Sequence, residues 1–108
     1  MSHVQIHFAV DDADRADAIV GSLLIRHLVA CGQRFGPAVS RYWWEGSVEQ
    51  AEEWLVVLKT RSVLASRVID AVVADHPYDT PEVVVLPILM GAPAYLDWID
   101  EVTADALR

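Results

Sequence analysis

Apolar and polar residues change places along this chain with two distinct periods. Val4, Ile6 and Phe8 alternate with His3, Gln5 and His7, the period of two that marks a strand with one polar face. Past the acidic cluster Asp11, Asp12 and Asp14 the period lengthens. Ala16, Ile19, Val20, Leu23, His27 and Ala30/Cys31 then fall on one side of a helix expected from Ala13 to Cys31. Asp11 or Asp12 can cap its orphan amides, and Gly32 reads as its stop. A second strand is expected from Gln33 to Gly46, with Gly36-Pro37 marking a bulged or irregular edge, and a third from Val48 to Thr60. Ser62 suits the cap of a second helix through Leu64, Val68, Ile69, Ala71 and Val72, ending near Asp75 because Pro77 disfavours helical geometry at His76. A fourth strand, Glu82 to Leu89, follows Pro81. A last helix opens at Pro93 with Tyr95, Trp98, Ile99 and Val102 on one face.

The order β-α-β-β-α-β-α is that of an α+β chain. Its first six elements match the ferredoxin-like split β-α-β plan, with both helices on one face of an antiparallel sheet and an extra C-terminal helix. Two features break the simple picture of a monomer. Tyr42, Trp43 and Trp44, the turn Glu45-Gly46-Ser47 and the run from Trp54 describe a long hairpin, which is only marginally stable without a surface to lie on. Trp54-Leu55-Val56-Val57-Leu58 is also apolar without alternation, so both faces of that strand call for cover. Helices on one face leave the other to a second copy of the chain, and Tyr42, Trp43 and Trp54 are the expected interface aromatics.

Composition narrows the function classes. The 108 residues suit one domain, residues 1–108, with a core of its own. An apolar fraction of 54% and a mean hydropathy of +0.28 are high for so small a chain and agree with obligate assembly. The net charge of −8 argues against nucleic acid and anionic membrane surfaces, and favours a cation, a basic partner or a neutral ligand. One cysteine, Cys31, permits no internal disulfide, and the N-terminal stretch lacks the basic and apolar regions of a signal peptide. No apolar run approaches the ~20 residues of a membrane span. A cytoplasmic protein is expected.

Candidate chemistry is sparse. His76 is a candidate ligand for Cu(II) or Zn(II), with Asp75 or with groups from a neighbouring copy; as a structural residue it would fix the turn after the second helix. His27 and Cys31, four apart on the expected helix, form a second but incomplete set. His3 and His7 share a strand face yet lie about 13 Å apart at the rise of a strand, too far for one ion. No Gly-x-Ser-x-Gly, Cys-His or glycine-rich phosphate pattern appears. Tyr78, Glu82, Trp44 and Glu45 are placed to line a cleft between subunits.

Five motifs, in order and spanning the chain, resemble the CutA family of divalent-cation tolerance proteins. They are Leu28-Val29-Ala30-Cys31, the Tyr42-Trp43-Trp44-Glu45-Gly46 turn, Leu58-Lys59-Thr60-Arg61, His76-Pro77-Tyr78-Asp79-Thr80-Pro81-Glu82 and Ala94-Tyr95-Leu96-Asp97-Trp98. The resemblance implies a ferredoxin-like fold and a tight homotrimer whose hairpins pair across subunits. It implies a role in copper or divalent-cation tolerance, anchoring of acetylcholinesterase in mammalian relatives, and no established reaction. Members assigned copper binding use a cysteine at the end of the first strand and a histidine at the end of the second helix. The matching positions here are Phe8 to Val10, none of which ligates, and Asp75-His76. A weakly bound cation and no required cofactor follow. A trimeric small-molecule or signalling module is the alternative. A small oxygenase or isomerase would need a closed pocket holding a histidine within each subunit.

Overall fold

A computed structural model describes residues 2–108. Its elements are strand β1 (His3–Val10), helix α1 (Ala13–Ile25), strands β2 (Cys31–Trp44) and β3 (Ser47–Arg61), helix α2 (Ala65–Asp75), strand β4 (Val83–Ile88) and helix α3 (Pro93–Val102). Short 3-10 turns follow β3 and α3. The four strands form one antiparallel sheet in the order β2-β3-β1-β4, so β2 and β4 are its edges. Among the described residues no helix is long and apolar enough to cross a membrane.

Register decides which face each strand buries. Phe8 pairs with Val56, and Ile6 with Leu58, so these four side chains share one face. All four are essentially inaccessible, and Ala16, Ile19 and Leu23 of α1 with Val68, Ala71 and Val72 of α2 pack against them. That is the core. The other face carries Leu55, Val57, Val84 and Leu86, which line up with Ala9, His7 and Gln5 of β1. Helix α3 covers only one end of this second face. It is held by His3 Nε2 to Asp100 Oδ1 at 2.7 Å and by Arg61 Nε donating to Thr103 Oγ1 at 3.0 Å.

Beyond α3 that face is open, and Leu55, Val84 and Leu86 are each two-fifths or more exposed. The hairpin of β2 and β3 extends further still. At about 3.3 Å per residue its 14- and 15-residue strands match the 44 Å long axis of the molecule. A radius of gyration of 14.5 Å exceeds the roughly 13 Å expected of a compact chain this long. The expected irregularity at Gly36-Pro37 is present as a register shift between Phe35 and Ala38.

Four expected boundaries are corrected. The first helix stops at Ile25, not Cys31, because His27 adopts a left-handed φ of 56°. The amide of His27 donates to Leu24 and that of Leu28 to Leu23, which closes the helix with a Schellman pair. Leu28, Val29 and Ala30 then enter the core as a connection rather than a helical turn. Cys31 therefore opens β2, and the proposed His27–Cys31 helical pair does not exist. Gly32 is no helix stop either. It lies in β2 where a Cβ would meet Val20 Cγ1 at 2.7 Å, so its small size lets the strand cross α1. Ser62 bonds the hydroxyl of Ser2 and begins a 3-10 turn, and α2 starts at Ala65 without a side-chain cap. The fourth strand is shorter than expected, and its Pro87 is tolerated because β4 is an edge.

Candidate functional site

The β3 register places Glu53 on the open face, two residues before Leu55. Across the bulge, Ala38 pairs with Glu53, Ser40 with Ala51, Tyr42 with Glu49 and Trp44 with Ser47, so Ser40, Tyr42 and Trp44 share the side of Glu53. The segment after α2 reaches the same place. His76 and Pro77 turn the chain so that Tyr78 Oη donates to Glu53 Oε2 at 2.9 Å. Between hairpin and turn lies an open cleft of about 670 Å³, walled by Tyr42, Trp43 and Trp44 on one side and by Tyr78, Asp79 and Glu82 on the other. Glu53, Ala9 and Arg41 also line it.

Trp44, Tyr78 and Glu82, three of the four residues expected at a cleft between subunits, line this cleft within one chain, and Tyr42 joins them. Glu45 does not. It forms the hairpin tip with a left-handed φ of 48° and is exposed, followed by Gly46 at φ 85°. Trp54 also lies elsewhere. It is half-buried at the α1 side of the sheet, with the Arg34 guanidinium 4.7 Å from its ring centroid and Arg34 Nε donating to Asp17 Oδ1 at 2.7 Å. Glu53 was not singled out from sequence. Only its alternation with Leu55 along β3 and the tyrosine two residues beyond His76 could have suggested it.

His76 is buried, and both of its ring nitrogens are engaged. Nε2 lies 2.7 Å from the carbonyl of Ala9, to which it donates, and Nδ1 accepts the amide of Tyr78 at 3.1 Å. That pair defines the neutral tautomer. The ring also meets Tyr78 edge-on with centroids 4.6 Å apart. A metal on either nitrogen would have to displace a hydrogen bond. Asp75 is exposed, and its carbonyl accepts from Arg15. Among the described residues, no three His, Cys, Asp or Glu side chains gather closely enough to hold an ion.

The field in the cleft is negative. Burial first, then the hydrogen bond to Glu53 and the charges of Glu53 and Asp11, push the Tyr78 phenol well above its ordinary value. Tyr78 therefore keeps its proton into more alkaline solution than an ordinary tyrosine. A second tyrosine behaves likewise outside the cleft. Tyr95 of α3 is pushed up to about 12 by burial and by Cys31, whose Sγ lies 3.7 Å from its hydroxyl.

Sequence and structure comparisons agree on kinship. Residues 4–102 match the family model of the CutA1 divalent ion tolerance protein. The divalent-cation tolerance protein CutA of Archaeoglobus fulgidus is 40% identical over 99 residues, covering 92% of this chain and 96% of that one. The structure of the periplasmic divalent cation tolerance protein CutA from the same organism superposes with a TM-score of 0.91 over 94% of this chain and 98% of that one, at 40% identity. CutA from Xylella fastidiosa superposes at 0.92 over 95% and 99%, at 31% identity. With whole-length likeness in both sequence and fold, the chain belongs to the CutA1 family of divalent ion tolerance proteins.

Proposed function

We propose that this protein acts as a homotrimer in divalent-cation tolerance, without a reaction of its own, and that it holds Cu(II) or a related cation weakly. One observation carries the assembly: a 14- and 15-residue hairpin and an open sheet face that expose Phe35, Val39, Leu55 and Trp43 to solvent in the isolated chain. Copies of the same chain on a ferredoxin-like sheet would cover that face and its long β2 edge. Weak metal binding follows from ligand count. His76 offers a nitrogen only at the loss of a hydrogen bond, Asp75 offers an oxygen, and water completes the set. The absence of a reaction rests on a family described by cation tolerance rather than by catalysis. A cytoplasmic location rests on the lone thiol of Cys31, against the periplasmic name of the Archaeoglobus protein, and cell fractionation decides it.

Calorimetric titration tests the metal. Cu(II) should bind in the micromolar range or weaker, about 8 kcal/mol or less. Nanomolar affinity that survives His76→Ala would place the metal elsewhere. A second reading, a small-molecule or signalling module, is favoured by one feature: the cleft gathers Tyr42, Trp44, Tyr78 and Glu82 around a volume fit for an organic ligand.

A further inference from the structure

The cleft beneath the hairpin combines three properties that are independent of one another. Its volume, about 670 Å³, lies within the roughly 300–1,000 Å³ of organic-ligand sites and far exceeds the coordination sphere of a metal ion. Its charged lining is unbalanced, with Glu53, Asp79 and Glu82 against Arg41 alone, and the Arg41 Nε is already spent on Gln50 Oε1 at 3.0 Å. Its aromatic lining, Tyr42 and Trp44, stands on the Glu53 side of the hairpin by register. Aromatic faces beside carboxylates attract a desolvated cation through both ring quadrupole and charge.

We infer that this cleft binds an organic ammonium ion, with Glu53 as counter-ion and the Trp44 and Tyr42 rings as the faces against which its alkyl groups pack. The inference rests on the second reading above and names its ligand class. Tyr78 is a positioning residue. Its hydroxyl donates to one carboxylate oxygen of Glu53, which fixes the carboxylate and leaves the other oxygen for the ligand. Its backbone amide is itself fixed by His76 Nδ1, so the turn that carries it is held from below. A bare metal ion suits the site poorly, because no three acidic or imidazole side chains among the described residues converge there.

The test is a titration of the assembled protein with tetramethylammonium chloride, followed by the indole N–H resonances of its tryptophans. Sodium chloride at equal ionic strength and tert-butanol, an uncharged molecule of comparable bulk, are the controls. Tetramethylammonium should shift the Trp44 resonance in a saturable way and bind about tenfold or more tighter than tert-butanol. Glu53→Gln should weaken it by a similar factor, and Tyr78→Phe by less, with the shift still centred on Trp44. Equal binding of tert-butanol would overturn the inference, since the cleft would then be merely apolar. So would an unmoved Trp44, the result expected if a neighbouring subunit fills the cleft, or a parent-like affinity in Glu53→Gln. Sedimentation and copper titration report on the trimeric cation-tolerance reading separately, so either proposal can fail while the other stands.

Discussion

His76 shows how a residue type that invites a metal can be consumed by its fold. Its two nitrogens tie the end of β1 to the turn after α2, so the imidazole joins elements 67 positions apart in sequence. His76→Ala would leave the Ala9 carbonyl and the Tyr78 amide without these partners and open a void beside Phe8, whose ring stands 6.1 Å away. A loss of about 2–4 kcal/mol in urea unfolding is expected. A variant within about 0.5 kcal/mol of the parent would show that the ring is dispensable to the fold. The tyrosines make a separate prediction in alkali. Tyr78 and Tyr95 both hold their protons more tightly when folded than at the ordinary value of 10.0. The unfolded chain releases these protons first, so stability is intact below pH 10 and falls as pH rises toward the folded values. Phenolate absorbance from Tyr78 and Tyr95 should lag in the folded protein and appear on unfolding. Tyr78→Phe should flatten the alkaline slope.

At the scale of elements, two junctions hold α1 and α3 in place. The Schellman pair at His27 ends α1 where Leu28 can drop into the core, and His27 Nδ1 reaches the carbonyl of Val102 at 2.9 Å. Gly32 then lets β2 pass over Val20. Gly32→Ala should cost about 1–3 kcal/mol, as overpacking does, because the added methyl meets Val20 Cγ1 and Leu58 Cδ2 at 3.0 Å or less. An unchanged urea midpoint would mean that Val20 simply changes rotamer. Helix α3 depends instead on polar contacts. His3 and Arg61, each 7% exposed, meet Asp100 and Thr103 on the sheet face opposite the main core. Asp100 is partly solvated, so its removal costs less than that of a fully buried partner. Asp100→Ala should destabilise by about 1–3 kcal/mol and raise amide exchange along α3 before the rest of the chain. Uniform exchange across all elements would argue against a local latch.

The whole molecule is shaped by a hairpin longer than its own domain needs. Trp43 is 75% exposed near the tip in the isolated chain, and Trp44 beside it is 46% exposed. If neighbouring copies cover them, Trp44→Asp should shift the sedimentation profile toward monomer, since a carboxylate buried without a partner costs several kcal/mol. A mutant that sediments like the parent, with the same thermal midpoint, would remove Trp44 from any interface. Dissociation linked to unfolding also makes the midpoint fall on dilution. A midpoint constant over a hundredfold range of concentration would separate unfolding from assembly.

Element types and their order were legible in the chain because each rests on local rules. Alternation marked β1, three-and-four spacing marked α1 and α2, Asp12 capped α1 through the Asp14 amide, and Gly36-Pro37 announced the irregular edge of β2. The unbroken apolar run in β3 called for cover on both faces; within the chain Val56 and Leu58 have it, while Leu55 stands open. Ends were less legible. Leu28, Val29 and Ala30 continue the helical spacing, and only their burial against the sheet, with His27 in a left-handed turn, reveals that the helix has stopped. The cleft was half legible. Trp44, Tyr78 and Glu82 were expected at a cleft between subunits and line one within the chain, where Glu53 joins them through strand register and a hydrogen bond across 25 positions. That both nitrogens of His76 are engaged was not legible at all. Residue type determines what a side chain can do, and the partners brought to it by distant parts of the chain decide which of those capacities remains unused.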